Sequence, residues 1–155
     1  VPDDSPSATA LAEMKRVDSS FEVSEFLSGA RGAYEMILMA FERGELEDIR
    51  SFLSSEVFET FESVVVARKD QGLTIEAEFI GVQKIAINEA TFYDKTGLAE
   101  ITIRIIGELT NVVRNAEGDL IEGHETSPKQ QKDIWTFARV MGTDDPNWQL
   151  VATGE

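Results

Sequence analysis

The 155-residue sequence predicts an α+β domain in which N-terminal helices pack on a bent, roughly four-stranded antiparallel sheet. Apolar residues recur at steps of three and four up to Gly72, which is typical of helices, and at every second position from Leu73 onward, which is typical of strands. Gly81 lies where this alternation shifts, which indicates a bulge or bend. The hydrophobic fraction of 42% suits one globular core, and the chain length suits one domain.

The first residues have the composition of a linker. Residues 1–9 contain two prolines, two aspartates and two serines. We therefore divide the chain into a polar linker or tail over residues 1–19, with a short helix from about residue 8, and a domain over residues 20–155. Because the chain starts at Val1 rather than Met, we expect it to be part of a longer protein, and any segment that anchors it would lie upstream of Val1.

Two strong helices and a short one are expected before the sheet. Ser24 is the predicted N-cap of the main helix, and Gly44 is placed to end it. Its apolar stripe consists of Phe26, Ala30, Tyr34, Ile37, Leu38 and Phe41. A short helical segment carries Leu46, Ile49 and Leu53. Ser54 or Ser55 then caps a further helix that Gly72 closes. Its apolar face consists of Val57, Phe58, Phe61, Val64 and Val65.

The remaining chain reads as an antiparallel meander. Turns are predicted at residues 94–97 and 115–119, and the alternation is cleanest around Ile103. The polar stretch from His124 to Lys132 is predicted to be a loop or excursion, after which the strand resumes over residues 133–139. The last strand carries the alternating residues Trp148, Leu150 and Ala152.

The composition excludes several classes of function. The 29 acidic and 14 basic residues give a formal net charge of −15, which opposes binding to nucleic acid and simple adhesion to anionic lipid. The chain has no cysteine and one histidine, which excludes disulfides, thiolate metal sites and any site that needs two imidazoles. We therefore expect neither a metal nor a cofactor.

No catalytic motif is present: the sequence lacks both phosphate-binding glycine loops and the G-x-S-x-G elbow. We expect a protein that is not an enzyme. Tyr34 and Asp133 are the best candidates for inward polar groups; we expect the Tyr34 hydroxyl to reach the edge of the core, and Asp133 to bind a neighbouring backbone group or Arg139. His124 is predicted to be a solvated loop residue. An acidic cluster at Glu42, Glu45, Glu47 and Asp48 lacks the calcium-loop pattern and is predicted to be solvated.

Aromatic residues from the helices and the sheet are expected to meet in one interface. This interface is either an ordinary core or a core that is left partly open as an apolar pocket. The candidate lining of such a pocket, or of a surface that binds a partner, is Tyr34, Leu38, Phe41, Phe58, Phe61, Trp135 and Phe137.

Several strings resemble a known family. Residues 26–34 and 40–46 resemble the opening helix of the Tim44-like domain, and residues 101–104 resemble its central strand. Residues 133–139 and 146–153 resemble its closing pair of strands. The strings follow the family order from about Ser20 to Thr153. The family comprises the C-terminal domain of a mitochondrial inner-membrane translocase subunit and its bacterial, especially alphaproteobacterial, relatives.

The resemblance implies a cone-shaped fold of the nuclear transport factor two-like (cystatin-like) type and a non-enzymatic scaffold role in protein transport. The implied partners are proteins: an unfolded polypeptide or a translocase component. The implied location is the bacterial inner membrane, with the domain in the cytoplasm, or alternatively the matrix face of the mitochondrial inner membrane. Lipid binding is not carried over, because the first 25 residues hold only two bases, Lys15 and Arg16. Two alternatives stay open: a small-molecule-binding or isomerase/dehydratase-like protein that uses the cone pocket, and a homodimer formed through the sheet.

Overall fold

The computed structural model describes residues 5–154, which form helices followed by one antiparallel sheet. The helices are α1 (Pro6–Val17), α2 (Val23–Arg43), a 3-10 helix (Glu47–Phe52) and α3 (Ser55–Asp70). The strands are β1 (Thr74–Tyr93), β2 (Leu98–Arg114), β3 (Leu120–Val140) and β4 (Gln149–Thr153). The strand order is β1-β2-β3-β4, with each neighbouring pair antiparallel. The predicted α+β class is thereby confirmed.

The core lies between the helices and one face of the sheet. Ile101, Ile103 and Ile105 of β2 are fully buried on this face, whereas Arg104 on the opposite face is exposed. The period-two pattern therefore identified the buried face correctly. The pairing of β1 with β2 shifts register at three places, the first of them between Phe79 and Gly81. Such bulges bend a strand and increase its twist, as the sequence predicted at Gly81.

The helix boundaries agree with the sequence in most places. Gly44 has φ of 74° and ends α2, and the Ser54 hydroxyl accepts a hydrogen bond from the backbone N–H of Val57 at the start of α3. The N-cap predicted at Ser24 is wrong, because α2 already begins at Val23 with Glu22 at the N-cap. An apolar residue in the first turn carries no helix-start signal, so sequence pattern places the boundary two residues late.

The polar stretch from His124 to Lys132 is mostly part of β3. Leu109 of β2 pairs with Lys129, and Asn111 pairs with His124, so only residues 125–128 are left out of the ladder. The prediction of a loop over the whole stretch is therefore wrong, although His124 is exposed as predicted. Backbone hydrogen bonds hold this part of β3, and its exposed side chains need no apolar alternation.

The predicted polar tail, residues 1–19, contains a packed helix in the described structure, while residues 1–4 lie outside the described residues. Helix α1 starts at Pro6, where the Ser5 hydroxyl accepts a hydrogen bond from the backbone N–H of Ala8 at 3.0 Å. Ala10 and Met14 of this helix are buried in the same core as α2 and the sheet. Serines and prolines that resemble a linker here serve as a helix start.

Candidate functional site

An apolar cavity forms a groove along the first half of α2. It has a volume of about 530 Å³ and lies between α2 and residues 146–148, which precede β4. Its aromatic lining consists of Phe21, Phe26, Phe52, Phe137 and Trp148. The Trp148 ring packs against two of these residues. Its centroid lies 4.9 Å from that of Phe26 and 6.0 Å from that of Phe21. We call this cavity the α2 groove.

Small residues on α2 leave the groove open. Gly29, Gly32 and Ala33 line it, and a Cβ atom placed on either glycine would meet nothing within 4 Å. Met36, also in the lining, is 39% exposed. None of these residues belongs to the apolar stripe of α2, from which the candidate residues on this helix were predicted. Small residues recur on α2 beside that stripe, and this recurrence is the sequence signal that could have indicated the groove.

Acidic side chains surround the groove. Glu22 and Glu25 line it and are exposed, and Glu22 forms an ion pair with Lys15. Arg139 also lines it, but its guanidinium donates to the Asp18 carboxylate at 2.9 Å and to the Asp145 carbonyl at 2.9 Å. Hydrogen bonds from Ser20 and Arg139 hold the pKa of Asp18 below its usual range, so the Asp18 carboxylate stays ionised at neutral pH. The one arginine in the groove is therefore already neutralised.

A second, more polar depression continues from Met36 toward the end of α2. It is lined by four carboxylates, from Glu35, Glu45, Asp48 and Glu78, against one arginine, Arg43. Met36 belongs to both depressions. The exposed surface of α2 is thus apolar near its first half and acidic at both ends.

The seven candidate residues from the sequence occupy three places. Phe137 lines the α2 groove, and Leu38 and Phe41 line a smaller depression whose wall also includes the exposed residues Glu122 and Lys129. The other four are buried in the core: Tyr34, Phe58, Phe61 and Trp135. The Tyr34 and Trp135 rings lie 4.8 Å apart, and the Phe41 and Phe61 rings lie 4.9 Å apart. Contact between any of the seven and a partner stays a prediction.

Tyr34 and Asp133, the two predicted inward polar groups, bind each other. The Tyr34 hydroxyl donates to Asp133 Oδ2 at 2.7 Å, and Gln131 donates to the same oxygen at 3.0 Å. The expected partners of Asp133, Arg139 or a neighbouring backbone group, are therefore wrong. Burial raises the pKa of Tyr34, and the Asp133 carboxylate raises it further. Tyr34 therefore stays protonated and serves as a donor, which makes it a poor general base.

Tyr34 also requires glycine at position 107. A Cβ atom on Gly107 would lie 2.7 Å from Cε2 and 3.0 Å from the hydroxyl oxygen of Tyr34. We expect Gly107→Ala to lower the free energy of unfolding by about 1–3 kcal/mol, because a ring fixed by its hydrogen bond cannot move aside without strain. Urea denaturation followed by circular dichroism measures the change.

The matched control for this prediction is Gly81→Ala. Gly81 lies in the neighbouring strand, and an added Cβ would meet nothing within 4 Å. We expect this substitution to change the free energy by less than about 0.5 kcal/mol. Equal effects at the two positions would show that Tyr34 does not pack closely against β2.

The acidic cluster near Gly44 is only partly solvated. Glu45, Glu47 and Asp48 are exposed as predicted, but Glu42 is buried, with its carboxylate 3.5 Å from the guanidinium of Arg68. The prediction that Glu42 is solvated is therefore wrong. The turn of α2 that carries Glu42 faces α3 and the sheet. The clustering of acidic residues around Gly44 in the sequence does not reveal this orientation.

Residues 5–154 contain no group of three His, Asp or Glu side chains arranged to hold a metal ion. Within the same residues, no helix combines the length and the apolar character that crossing a bilayer requires.

Comparison with known proteins identifies the family. The family model of the Tim44-like domain matches residues 7–155. The chain belongs to the Tim44-like domain family. The match starts within α1.

Relatives of this Tim44-like domain are import translocase subunits of the mitochondrial inner membrane. The chain is 25% identical to subunit tin-44 of Caenorhabditis elegans over 145 residues, 22% identical to human TIM44 over 144 residues and 20% identical to TIM44-1 of Arabidopsis thaliana over 150 residues. These matches cover 91–93% of this chain but only 31–34% of the relatives. The chain thus spans about a third of their length. Among solved structures, the intermembrane space region of the chloroplast protein ARC6 matches with a TM-score of 0.49 at 10% identity, over 93% of this chain and 94% of that one.

Proposed function

We propose that this Tim44-like domain is a non-enzymatic protein-binding domain of a protein-transport scaffold at an inner membrane, and that it binds a basic, partly apolar segment of a partner in the α2 groove. The relatives, which are named as import translocase subunits, support the transport context. The groove, with its aromatic lining and acidic rim, supports the mode of binding and is the observation that carries the proposal.

The volume of the groove suits a cluster of side chains from a bound polypeptide. A volume of about 530 Å³ lies in the range of sites that bury apolar groups of a ligand. Because Gly29 and Gly32 carry no side chains, a partner helix or extended segment can approach the α2 backbone closely. The Trp148 indole supplies the kind of aromatic contact that often dominates binding energy at protein interfaces.

The negative charge of the surface around the groove indicates that the partner segment is positively charged. Glu25 stands at one end beside Glu22, which already pairs with Lys15, and the depression beyond Met36 adds four carboxylates. Together with the net charge of −15, they attract cations and speed encounter with a basic segment. Binding should therefore weaken as salt is added.

The wider context is part of the proposal. We place the domain on a membrane-attached protein whose attachment lies outside this sequence, in the bacterial cytoplasm or, alternatively, at the matrix face of the mitochondrial membrane. An isomerase-like use of the fold is less well supported, because Tyr34 and Asp133 satisfy each other and Tyr34 is buried in the core.

The groove proposal predicts the behaviour of a labelled peptide. We expect a fluorescent 15-residue amphipathic peptide of net charge about +4 to bind the domain in the micromolar range. Gly32→Trp should weaken binding at least 10-fold, because the indole fills the groove. Fluorescence anisotropy at low and at physiological salt measures both effects.

Two controls accompany this titration. Val66→Trp places the same indole on an exposed position of α3, 49% exposed, and should leave the affinity unchanged. A peptide of the same composition but without amphipathic order tests whether charge alone suffices. Equal binding of the peptide by the wild-type domain and by Gly32→Trp would refute the groove as its site.

A further inference from the structure

One guanidinium holds together two connecting segments that flank the α2 groove. Arg139 of β3 donates from Nε to the Asp145 carbonyl oxygen at 2.9 Å and from Nη2 to Asp18 Oδ2 at 2.9 Å. Nη2 also donates to the Thr143 carbonyl oxygen at 3.4 Å. Asp18 lies in the connection between α1 and α2, and residues 143–145 lie in the connection between β3 and β4. We call these contacts the Arg139 clasp.

The clasp is largely shielded from water. The side chains of Arg139 and Asp18 are only 9% and 13% exposed. Salt screens such a pair less than it screens a pair on the surface, and hydrogen bonds between charged groups are stronger than neutral ones. Because the same guanidinium also binds two backbone carbonyl groups, it fixes the path of the main chain as well as one side chain.

On the α1 side, Asp18 shapes the turn that brings Phe21 to the groove. Oδ1 of Asp18 accepts hydrogen bonds from the backbone N–H of Ser20 at 3.1 Å and from its hydroxyl at 2.6 Å. The carbonyl oxygen of Asp18 accepts the backbone N–H of Phe21 at 3.0 Å. Ser20 and Phe21 both line the α2 groove. The carboxylate that Arg139 binds is therefore the one that shapes this part of the groove wall.

On the β4 side, the clasp leads to Trp148. Oδ1 of Asp145 accepts a hydrogen bond from the backbone N–H of Asn147 at 3.0 Å. Asn147 and Trp148 line the α2 groove, and the Trp148 ring packs on Phe21 with the centroids 6.0 Å apart. The two connections thus meet twice, at Arg139 and at the aromatic contact, and together they form the groove wall that faces α2.

We infer that Arg139 is a positioning residue of the α2 groove: through the clasp it holds Phe21 and Trp148 at the separation from α2 that the partner segment requires. This inference rests on the proposed function of the groove and adds how its wall is held. Without the clasp, both connections would become ordered only when the partner binds. The conformational entropy lost in that step would weaken binding.

Lysine at position 139 would keep the charge of the arginine without its geometry. An ammonium group is a point charge that can pair with the Asp18 carboxylate, but it lacks the planar fork that reaches Asp18 and the Asp145 carbonyl together. Arg139→Lys therefore loosens the wall and leaves the net charge of the domain unchanged. A change in affinity for a basic peptide then cannot come from long-range electrostatics.

Two measurements on Arg139→Lys in the full chain test the clasp. The heteronuclear nuclear Overhauser effect of the two indole N–H groups, assigned with Trp148→Phe, reports fast motion of each ring. We expect it to fall for Trp148 and to stay unchanged for Trp135, which is only 4% exposed in the core. Fluorescence anisotropy with the labelled amphipathic peptide should show binding weakened by about 10-fold.

The matched control is Arg68→Lys. Arg68 also pairs with a buried carboxylate, that of Glu42, but neither residue lines the α2 groove. This substitution should leave both the motion of Trp148 and the peptide affinity unchanged, whatever its effect on the free energy of unfolding. Asp18→Asn breaks the clasp from the opposite side and should reproduce the increased motion of Trp148. It therefore also tests the clasp if Arg139→Lys fails to fold.

Two results would overturn the inference. Unchanged motion of Trp148 in Arg139→Lys and in Asp18→Asn would mean that aromatic packing alone holds the wall. Increased motion of Trp148 with the affinity of the wild type would mean that the position of the wall does not govern binding. Failure of the wild-type domain to bind the peptide would instead refute the groove as a peptide site, and the Trp148 signal distinguishes that failure from a failure of the clasp.

Discussion

Trp135→Ala is expected to lower the free energy of unfolding by about 3–5 kcal/mol, because it removes a large buried ring and leaves a cavity. Trp135 is only 4% exposed, and its ring lies 4.8 Å from that of Tyr34 and 6.3 Å from that of Phe137. It therefore joins α2 to the middle of the sheet. Chemical denaturation of the purified domain, with the slope of the transition checked for change, measures the loss.

The control for this prediction is the neighbouring residue, Ile134, which lies on the opposite face of β3 and is half-buried. Ile134→Ala should cost only about 1 kcal/mol, since less apolar surface is lost. The outcome that would contradict a core role for Trp135 is a loss of similar size at both positions. A small loss at Trp135 together with weaker peptide binding would place Trp135 at a functional surface instead.

Met14→Ala is expected to destabilise the domain by about 2–5 kcal/mol if α1 is part of the cooperative fold. Met14 is fully buried, and the Ser7 hydroxyl accepts a hydrogen bond from the backbone N–H of Ala90 at 3.2 Å, which ties α1 to β1. Thermal unfolding followed by calorimetry and by the tryptophan signal should show one transition at a lower temperature.

The reference substitution on the same helix is Thr9→Ala. Thr9 is exposed, so this change should alter the free energy by no more than about 0.5 kcal/mol. A wild-type melting temperature in Met14→Ala would mean that α1 unfolds separately and that residues 1–19 behave as the tail that their composition suggests.

The comparison of sequence and structure is most informative at Tyr34 and Glu42, which both lie on α2. Tyr34 falls within the apolar stripe, so the sequence indicated that it is inward, but its hydrogen bond to Asp133 joins residues that are 99 positions apart. Glu42 follows Phe41 at the end of the same helix, and its polar type suggested solvent. Its burial depends on Arg68 of α3, which local pattern does not place beside it.

At the α2 groove, too, the sequence indicated one part of the arrangement and the tertiary structure decided the other. Four of the five aromatic residues that line it were expected to meet in one interface, whereas Phe21 was not, and the candidate set included only Phe137 among them. The groove exists because residues 146–148 stand away from α2 at Gly29 and Gly32. Openness of this kind depends on the distance between two segments, and single-sequence periodicity carries no information about such distances.

The sequence by itself determined the class of fold, the buried faces of the strands, the end of α2 at Gly44, the start of α3 at Ser54, and the family. These properties depend on neighbours within a few positions, where the period of apolar residues and the backbone preferences of glycine and serine act directly. Only the tertiary structure decided that α1 packs in the core, which polar groups meet, and where the α2 groove lies. Those properties depend on contacts between residues far apart in the chain, and their energies arise only once the helices have docked on the sheet.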